Sequence, residues 1–393
     1  MTFEFFIARR YFLTPQKERF ISVISLIAGL GVAIGVTALI VVIAVMAGFD
    51  NDLKDKIVGA NPHVLIQADA GFTDFKALSQ NLRRIPGVRD VTPYVSGQAF
   101  LYYGDNVLTL NVKGVDPEAE GRVTRIRQYM QGGALDLPPG GIVVGCELAD
   151  VLGVTKGDTV VLSSPVIGLN TPFTVSGVFK TGMYEYDLNL AFLNLADAQA
   201  FFGLGSVLTQ VGLRLEEPYE APATKQAILA LGESSWRVRT WMEINENFFA
   251  ALALEKLAMF IILTLIVLVA SFNIISTLVV MVVEKTRDIG ILKAVGVTAG
   301  RVRAIFTWGG FLIGSAGVVS GIIGGTLLCA LLKRYQFIQL PKDIYYIDRL
   351  PVDLRWQDVG IIAASALFIA FLSTVYPARK AAHMHPVDAL RYE

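Results

Sequence analysis

Four uninterrupted apolar blocks constrain the fold of this chain more than any other feature. Residues 20–49, 257–283, 304–332 and 359–378 contain no Asp, Glu, Lys or Arg. About 20 helical residues, rising 1.5 Å each, cross the roughly 30 Å hydrocarbon core of a bilayer, where a helix satisfies its own backbone polar groups. Buried helices of a soluble protein rarely run this long without a charge. The blocks therefore predict four transmembrane helices.

The charge composition agrees with this organisation. Charged residues make up 17% of the chain, below the roughly 25% of soluble domains, and the four blocks account for the deficit. Lys plus Arg and Asp plus Glu are equal at 34 each. No global basic field therefore favours a nucleic-acid partner, and none is expected.

The first block follows basic residues, as the apolar region of a secretory signal peptide does. A signal peptide has an apolar region of roughly 7 to 15 residues before its cleavage site. Residues 20–49 are 30 residues long. We therefore interpret this block as a retained membrane helix.

The distribution of basic residues predicts the orientation. Lys and Arg number four in segment 1–19, five in loop 284–303 and three in tail 379–393, which places these segments in the cytoplasm by the positive-inside rule. Loop 333–358 also carries five, so the orientation depends on the first helix. The prediction is a multi-pass membrane protein with both termini cytoplasmic. Its segments are a cytoplasmic amphipathic stretch (1–19), transmembrane helices (20–49, 257–283, 304–332, 359–378), an outer domain (50–256), a cytoplasmic loop (284–303), a short outer loop (333–358) and a cytoplasmic tail (379–393).

Residues 50–256 form a 207-residue segment that can bury its own core. It carries 24 acidic and 17 basic residues. Runs rich in β-branched and aromatic residues alternate with turn signals and helical patterns. Strands are predicted at 63–67, 97–103, 107–115, 159–163, 173–179 and 210–215, and helices at 75–84, 147–152, 196–202 and 224–231. The predicted fold class is a membrane α-helical protein with four transmembrane helices and a large α+β outer domain inserted between helices 1 and 2.

The chain offers few residues for catalysis. His63 is the only histidine in this segment, and its place at the head of a predicted strand favours a structural role. His383 and His385 would make a poor metal site on a short tail. A nucleotide-binding P-loop needs Gly-Lys, which does not occur in the chain. We expect no catalytic, cofactor or metal site.

Other polar residues are predicted to be structural or solvated. The acidic pairs Glu216–Glu217 and Glu185 with Asp187 are expected on the surface. Cys146 and Cys329 fall in different compartments of the predicted topology and cannot form a disulfide. Asn273, within the second block, is expected to hydrogen-bond another helix.

Small residues recur at helical spacing in two of the blocks. Such spacing lets helix backbones approach closely, either within one bundle or between subunits. The predicted packing glycines are Gly31 and Gly35 in the first block and Gly310, Gly314, Gly317 and Gly321 in the third.

The loop after the second block has an amphipathic pattern. At about 100° per residue, its apolar side chains fall within a roughly 160° arc, which predicts a short helix along the inner membrane surface that Gly296 ends. This helix is either an ordinary connector or a coupling helix that docks into a soluble motor subunit. The candidate coupling residues are Glu284, Lys285, Arg287, Asp288, Ile289, Ile291, Leu292 and Val295.

Several stretches match one protein family. They are Ile7–Tyr11, Val45–Phe49, Phe272–Leu278, Glu284–Gly296, Leu340–Tyr346, Tyr376–Ala382 and Pro386–Glu393. Through them the chain resembles the LolC/LolE family of lipoprotein-releasing ABC transporter permeases, within the MacB-like permease superfamily that includes FtsX. The outer domain (50–256) is similar to the MacB-like periplasmic domain through Gly145–Ala149, Leu152–Val154 and Lys156–Asp158.

The resemblance implies an ATP-driven complex in the bacterial inner membrane, with the outer domain (50–256) and the outer loop (333–358) in the periplasm. A second permease subunit and a dimer of LolD-like ATP-binding subunits would be partners, with the ATPase contacting the loop after span two and binding the ATP and Mg²⁺, so that this chain holds no cofactor. A lipid-anchored lipoprotein would leave the outer leaflet of the inner membrane between spans one and two, for transport to the outer membrane. Residues implied to contact lipid or lipoprotein are Met46, Phe49, Phe260 and Leu263.

The connection between the strands near Thr159 and Phe173 departs from the LolC pattern. LolC-type members have a longer Pro-rich projection there that captures a periplasmic lipoprotein carrier, whereas this chain has only residues 164–172. A LolC-like role, a LolE-like role and a homodimer serving both remain alternatives, with or without carrier docking. The alternative functions are MacB-like efflux or mechanotransmission and FtsX-like regulation of periplasmic enzymes.

Overall fold

The structure is a computed structural model and describes residues 3–13, 19–165, 167–168, 170–231, 235–335 and 350–384. The described part divides into two compact units. A helical unit contains the described residues up to 50, from 252 to 335 and from 350 onward, and an α+β unit contains those from 51 to 251. His385 and the family-like stretches 340–346 and 386–393 lie outside the described residues, as do parts of the predicted segments 1–19, 333–358 and 379–393.

Long helices precede and follow the α+β unit in the sequence, and shorter helices lie within it. The helices are α1 (Phe3–Leu13), α2 (Arg19–Ala60), α3 (Phe75–Leu82), α4 (Pro117–Val123), α5 (Ile126–Tyr129), α6 (Cys146–Leu152), α7 (Tyr184–Asn189), α8 (Leu195–Phe202), α9 (Ala221–Leu229), α10 (Trp241–Ile244), α11 (Glu246–Glu284), α12 (Thr286–Ala294), α13 (Ala299–Tyr335) and α14 (Trp356–His383). Among the described residues, α2, α11, α13 and α14 are long and apolar enough to cross a membrane. Each contains one of the four apolar blocks.

Contacts in the helical unit fix the relative directions of these helices. In α13, Gly310 contacts Thr374 and Gly314 contacts Ala370, so α13 and α14 are antiparallel. Further along α13, Gly317 contacts Val32 and Gly325 contacts Ile40, so α13 runs parallel to α2. Gly31 contacts Asn273 and Gly35 contacts Ile266, which makes α11 antiparallel to α2. The four helices therefore alternate in direction along the chain.

The short helix α1 packs against the start of α13. Ala8 is fully buried, the Phe5 and Trp308 rings meet edge to face with centroids 5.6 Å apart, and Glu4 Oε1 lies 3.5 Å from Arg301 Nε. An apolar contact and an ion pair therefore attach α1 to this end of the bundle.

The α+β unit is built on one mixed sheet. Its strands are β1 (Val64–Phe72), β2 (Val88–Tyr103), β3 (Asn106–Val115), β4 (Met130–Gln131), β5 (Gly141–Gly145), β6 (Thr159–Ser163), β7 (Asn170–Phe179), β8 (Leu190–Asn194), β9 (Leu208–Leu215) and β10 (Trp236–Thr240). Their order is β10-β1-β9-β2-β3-β8-β5-β7-β4, and β6 pairs with β2 and β7. Two pairs, β3 with β8 and β5 with β7, are parallel.

The alternating strand patterns explain why this sheet forms. In β1, β-branched and apolar side chains alternate between buried and partly exposed positions, as expected for a strand with one face on a core. The core joins residues from distant strands, including Ile66, Leu101, Leu162 and Leu213, each of them fully buried. The six predicted strands and four predicted helices all overlap observed elements of the same type.

Candidate functional site

The short helix α12 has a sharply defined end. Gly296 follows it with φ of +97°, a left-handed conformation that favours glycine. The Gly296 N–H donates to the Lys293 carbonyl and the Val297 N–H donates to the Leu292 carbonyl, each at 3.0 Å. This pair of bonds is a Schellman motif, which satisfies carbonyls that the helix end leaves open. The predicted helix stop at Gly296 is confirmed.

The apolar face of α12 is divided between core and surface. Ile289 is 1% exposed and belongs to the core of the helical unit, and Leu292 packs against that core. Ile291 is 48% exposed and Val295 is 81% exposed. One edge of the predicted face therefore holds α12 on the bundle, and the other edge remains at the surface.

Four candidate coupling residues form one exposed stripe. All four are exposed: Glu284 is the last residue of α11, and Arg287, Ile291 and Val295 follow each other at spacings of four, which places these three on one side of α12. We call these four residues the coupling stripe. The other candidates lie elsewhere, because Ile289 and Leu292 face the core, Lys285 is nearly buried, and Asp288 lies 3.5 Å from the Lys285 ammonium.

Lys293 fastens α12 to the end of α14. Its Nζ donates to the carbonyl oxygens of Ala382 and Met384, both at 2.6 Å. The last carbonyls of a helix lack intrahelical partners and carry partial negative charge, so a lysine is well suited to this position. Lys293 was not among the predicted coupling residues. Its position in the last turn of a short helix was the sequence signal that could have indicated a contact with a helix end.

The four implied lipid contacts lie at one end of the α2–α11 pair. The antiparallel arrangement brings the end of α2 beside the start of the apolar part of α11, where Lys256 Nζ lies 3.9 Å from Asp50 Oδ2. Of the four side chains, only Phe260 is clearly exposed, at 68%. Met46, Phe49 and Leu263 are half-buried, and Leu263 packs against the helical core.

Helix α11 presents an unusually broad apolar surface. At about 100° per residue, its exposed large apolar side chains cover roughly 200° of the helix circumference. These residues are Leu254, Leu257, Phe260, Ile261, Ile262, Leu265, Leu268, Val269, Phe272, Val280 and Val283. Within the described part of the chain, no helix covers this face.

The glycines of α13 allow close helix packing within the chain. A Cβ on Gly310 or Gly314 would lie 2.6 Å from side-chain carbons of α14, and on Gly317 or Gly321 it would lie 2.8 Å or less from carbons or carbonyls of α2. On Gly31 a Cβ would collide with the Asn273 amide, whereas Gly35 has ordinary contact distances. The α13 glycines therefore bring three helices of one chain together.

His63 has a structural environment at the start of β1. It is 4% exposed, and its Nδ1 accepts a hydrogen bond of 3.0 Å from the Leu215 N–H. Burial, reinforced by the charges of Arg214 and Arg125, lowers the pKa of His63 to about 4. The imidazole is therefore neutral near pH 7 and links β1 to β9.

Asp187 corrects one sequence-based expectation. We expected a solvated carboxylate, but Asp187 is 2% exposed. It accepts hydrogen bonds from the Thr181 N–H, the Thr181 hydroxyl and the Gly182 N–H at 2.7 to 3.0 Å, which is how a buried carboxylate is tolerated. Burial raises its pKa, against these bonds. The neighbouring Cys146 thiol has its pKa raised to about 12, first by burial and then by Asp187, so it is not an activated nucleophile.

Comparison with known proteins identifies the family of this chain. Residues 25–231 match the MacB-like periplasmic core domain, and residues 260–386 match the FtsX-like permease C-terminal domain. The lipoprotein-releasing system transmembrane protein LolC of Neisseria meningitidis serogroup B is 35% identical over 412 residues, which cover 99% of each chain. The chain belongs to the LolC/LolE family of lipoprotein-releasing ABC transporter permeases.

Both branches of the LolC/LolE family are represented among the relatives. LolC of Xylella fastidiosa is 35% identical over 407 residues, covering 98% of each chain. LolE of Haemophilus influenzae is 29% identical over 419 residues, covering 99% of each chain. The family is one of ABC transporter permeases, which are non-catalytic subunits.

Proposed function

We propose that this chain extracts lipid-anchored lipoproteins from the outer leaflet of the bacterial inner membrane and releases them for transport to the outer membrane. Its partners are a dimer of ATP-binding subunits, which bind the ATP and Mg²⁺, and a second permease subunit, identical or homologous. The chain itself holds no cofactor.

One structural observation carries the coupling part of this proposal. The coupling stripe is exposed, yet its helix is fixed to the helical unit by Ile289 in the core and by Lys293 on the end of α14. An exposed edge on a rigidly held helix can receive a displacement from a motor subunit and pass it to α14. A merely connecting loop would need neither the buried edge nor the lysine anchor.

The topology proposed is four spans with both termini cytoplasmic. The alternating directions of α2, α11, α13 and α14 support it, because they bring the coupling loop and the ends of α1 and α14 to the same side. That side carries most of the basic residues counted above, as the positive-inside rule requires. Residues 50–256 then form a periplasmic domain between the first two spans.

The lipid path is proposed along α2 and α11. Phe260 and the broad apolar face of α11 are exposed in a single chain, and they would contact acyl chains or the second permease. Burying acyl carbon contributes roughly 0.8 kcal/mol per CH₂, so an exposed apolar face can hold a lipid anchor without a charged site.

Co-purification tests this function. The full chain is expressed with its ATPase and a triacylated lipoprotein, isolated in detergent, and incubated with ATP or with ADP. We expect bound lipoprotein that leaves on ATP and stays on ADP. Absence of lipoprotein, or retention insensitive to ATP, would count against the proposal.

A further inference from the structure

An apolar groove with two arginines at one end lies between α13 and α14. It has a volume of about 580 Å³ and is open to the outside of the helical unit. Its lining includes Trp308, Phe311 and Phe371, together with Arg303 and Arg379. All of its lining residues belong to α13 and α14, so this groove is separate from the α2–α11 surface described above.

The two arginines lie at the same end of the groove. Because α13 and α14 are antiparallel, Arg303 near the start of α13 is level with Arg379 near the end of α14. Phe311 and Phe371 each lie eight residues from the arginine of their own helix, about 12 Å along the axis at 1.5 Å per residue. The groove is therefore cationic at one end and aromatic at the other.

Both guanidinium groups lack an acidic partner in the described part of the chain. Arg303 and Arg379 are exposed, and neither forms an ion pair there. The neighbouring Arg301, in contrast, is paired with Glu4 at 3.5 Å. Two cations with no acidic partner among the described residues, beside an apolar groove, are complementary to an anionic group that carries a hydrocarbon tail.

We infer that this groove binds an anionic phospholipid of the cytoplasmic leaflet. The phosphate would contact Arg303 and Arg379, and an acyl chain would lie along Trp308, Phe311 and Phe371. The choice of leaflet follows from the proposed topology, in which this end of α13 and α14 is cytoplasmic. A free phosphate would use the arginines but would leave the 12 Å aromatic section without a ligand, and this favours a lipid.

Trp308 supplies a local reporter for this site. The chain has four tryptophans; Trp236 and Trp241 belong to the α+β unit, and Trp356 starts α14 at the opposite end. The full chain carrying Trp356→Phe is placed with its ATPase in nanodiscs of phosphatidylcholine. Brominated phosphatidylglycerol or brominated phosphatidylcholine is then titrated in, and tryptophan quenching is recorded.

If the site is selective, the two brominated lipids should differ greatly in the mole fraction needed to quench Trp308. Near a membrane surface each arginine strengthens binding of an anionic lipid by about 5.4-fold, so both give about 30-fold. Brominated phosphatidylglycerol should therefore quench at about 30-fold lower mole fraction than brominated phosphatidylcholine. The Arg303→Gln/Arg379→Gln variant should lose this preference.

The matched control is Arg10→Gln/Lys380→Gln. It removes the same charge from exposed positions that do not line the groove and should keep the preference. Equal quenching by the two lipids in the starting protein, equal loss in both double variants, or displacement of the lipid by inorganic phosphate would overturn the assignment. Nanodiscs expose both leaflets and the readout needs no ATP, so this result is independent of lipoprotein release and of the topology.

Discussion

Replacing Ile291 with aspartate should separate motor binding from folding. The side chain is 48% exposed in the single chain, so docking of an ATPase would bury that half. Full burial of an isoleucine side chain stabilises by about 1.5 to 3 kcal/mol, so burying the exposed half of Ile291 would contribute about 1 kcal/mol to the binding free energy. Burying an unpaired carboxylate in its place adds a penalty of several kcal/mol. A total of about 4 kcal/mol weakens binding roughly thousandfold.

The stability of the chain should change little in this variant. Surface substitutions outside special sites usually stay within about 0.5 kcal/mol, and an acid near a helix C-terminus adds at most about 1 kcal/mol. The assay is pull-down of the separately expressed ATPase by the full chain, with thermal unfolding followed in parallel. We expect loss of the ATPase and an unchanged unfolding temperature.

Ile289 provides the matched control, because it lies two residues away and is 1% exposed. Ile289→Asp buries a charge within the helical unit and should lower its unfolding temperature, whereas Ile291→Leu should bind the ATPase normally. If Ile291→Asp retained full ATPase binding, the coupling stripe would not be the docking surface.

Three further predictions test other parts of the structure. Gly321→Val should destabilise the helical unit by about 1 to 3 kcal/mol through overpacking against α2. Gly360→Val is the control and should not destabilise it, because a Cβ there would meet no atom within 4 Å. Equal unfolding temperatures of the two variants in detergent would refute this packing. Lys293→Met removes two charge-assisted hydrogen bonds worth about 1.5 to 3 kcal/mol each. It should leave ATPase binding within about twofold but lower ATP-driven lipoprotein release at least about tenfold. Normal release would show that the contact between Lys293 and the end of α14 does not transmit motion. The pKa of His63 is about 4 in the folded chain, below the unfolded value of about 6.5. As the pH falls, the unfolded state therefore binds the proton first. The contribution of His63 to the free energy of unfolding, fully present above pH 6.5, falls by up to about 3 kcal/mol toward pH 4. Hydrogen exchange of β1 and β9 in the full chain should show this loss, and His63→Gln, which keeps an acceptor for Leu215, should reduce it; identical pH dependence of the two proteins would contradict the assignment.

The sequence was most informative where one period or one residue type decides the structure. The four charge-free blocks predicted the long helices, and Gly296 predicted the end of α12 because its left-handed backbone has little tolerance for other residues. The apolar arc of α12 was visible from spacing. Its division between buried Ile289 and exposed Ile291 was not, because the division depends on which neighbouring helices pack against it.

The features that we missed depend on contacts between distant segments. Asp187 is buried because the loop at Thr181 and Gly182 supplies donors, and no local pattern indicates that arrangement. Lys293 and the pair Arg303 and Arg379 contributed only to the count of basic residues. Their roles require the antiparallel pairing of α13 and α14, which brings residues some 75 to 90 positions apart to the same end.

ATP-driven release from a reconstituted membrane tests the central claim most directly. The full chain, its second permease and its ATPase are placed in vesicles with a fluorescent triacylated lipoprotein, and soluble lipoprotein is measured after addition of ATP or ADP in the presence of a lipid-binding acceptor protein. We predict release with ATP, none with ADP, and none with ATP when the chain carries Ile291→Asp. Equal release under all three conditions, or no release with ATP from a complex that hydrolyses it, would contradict the assignment of this chain as a lipoprotein-releasing permease.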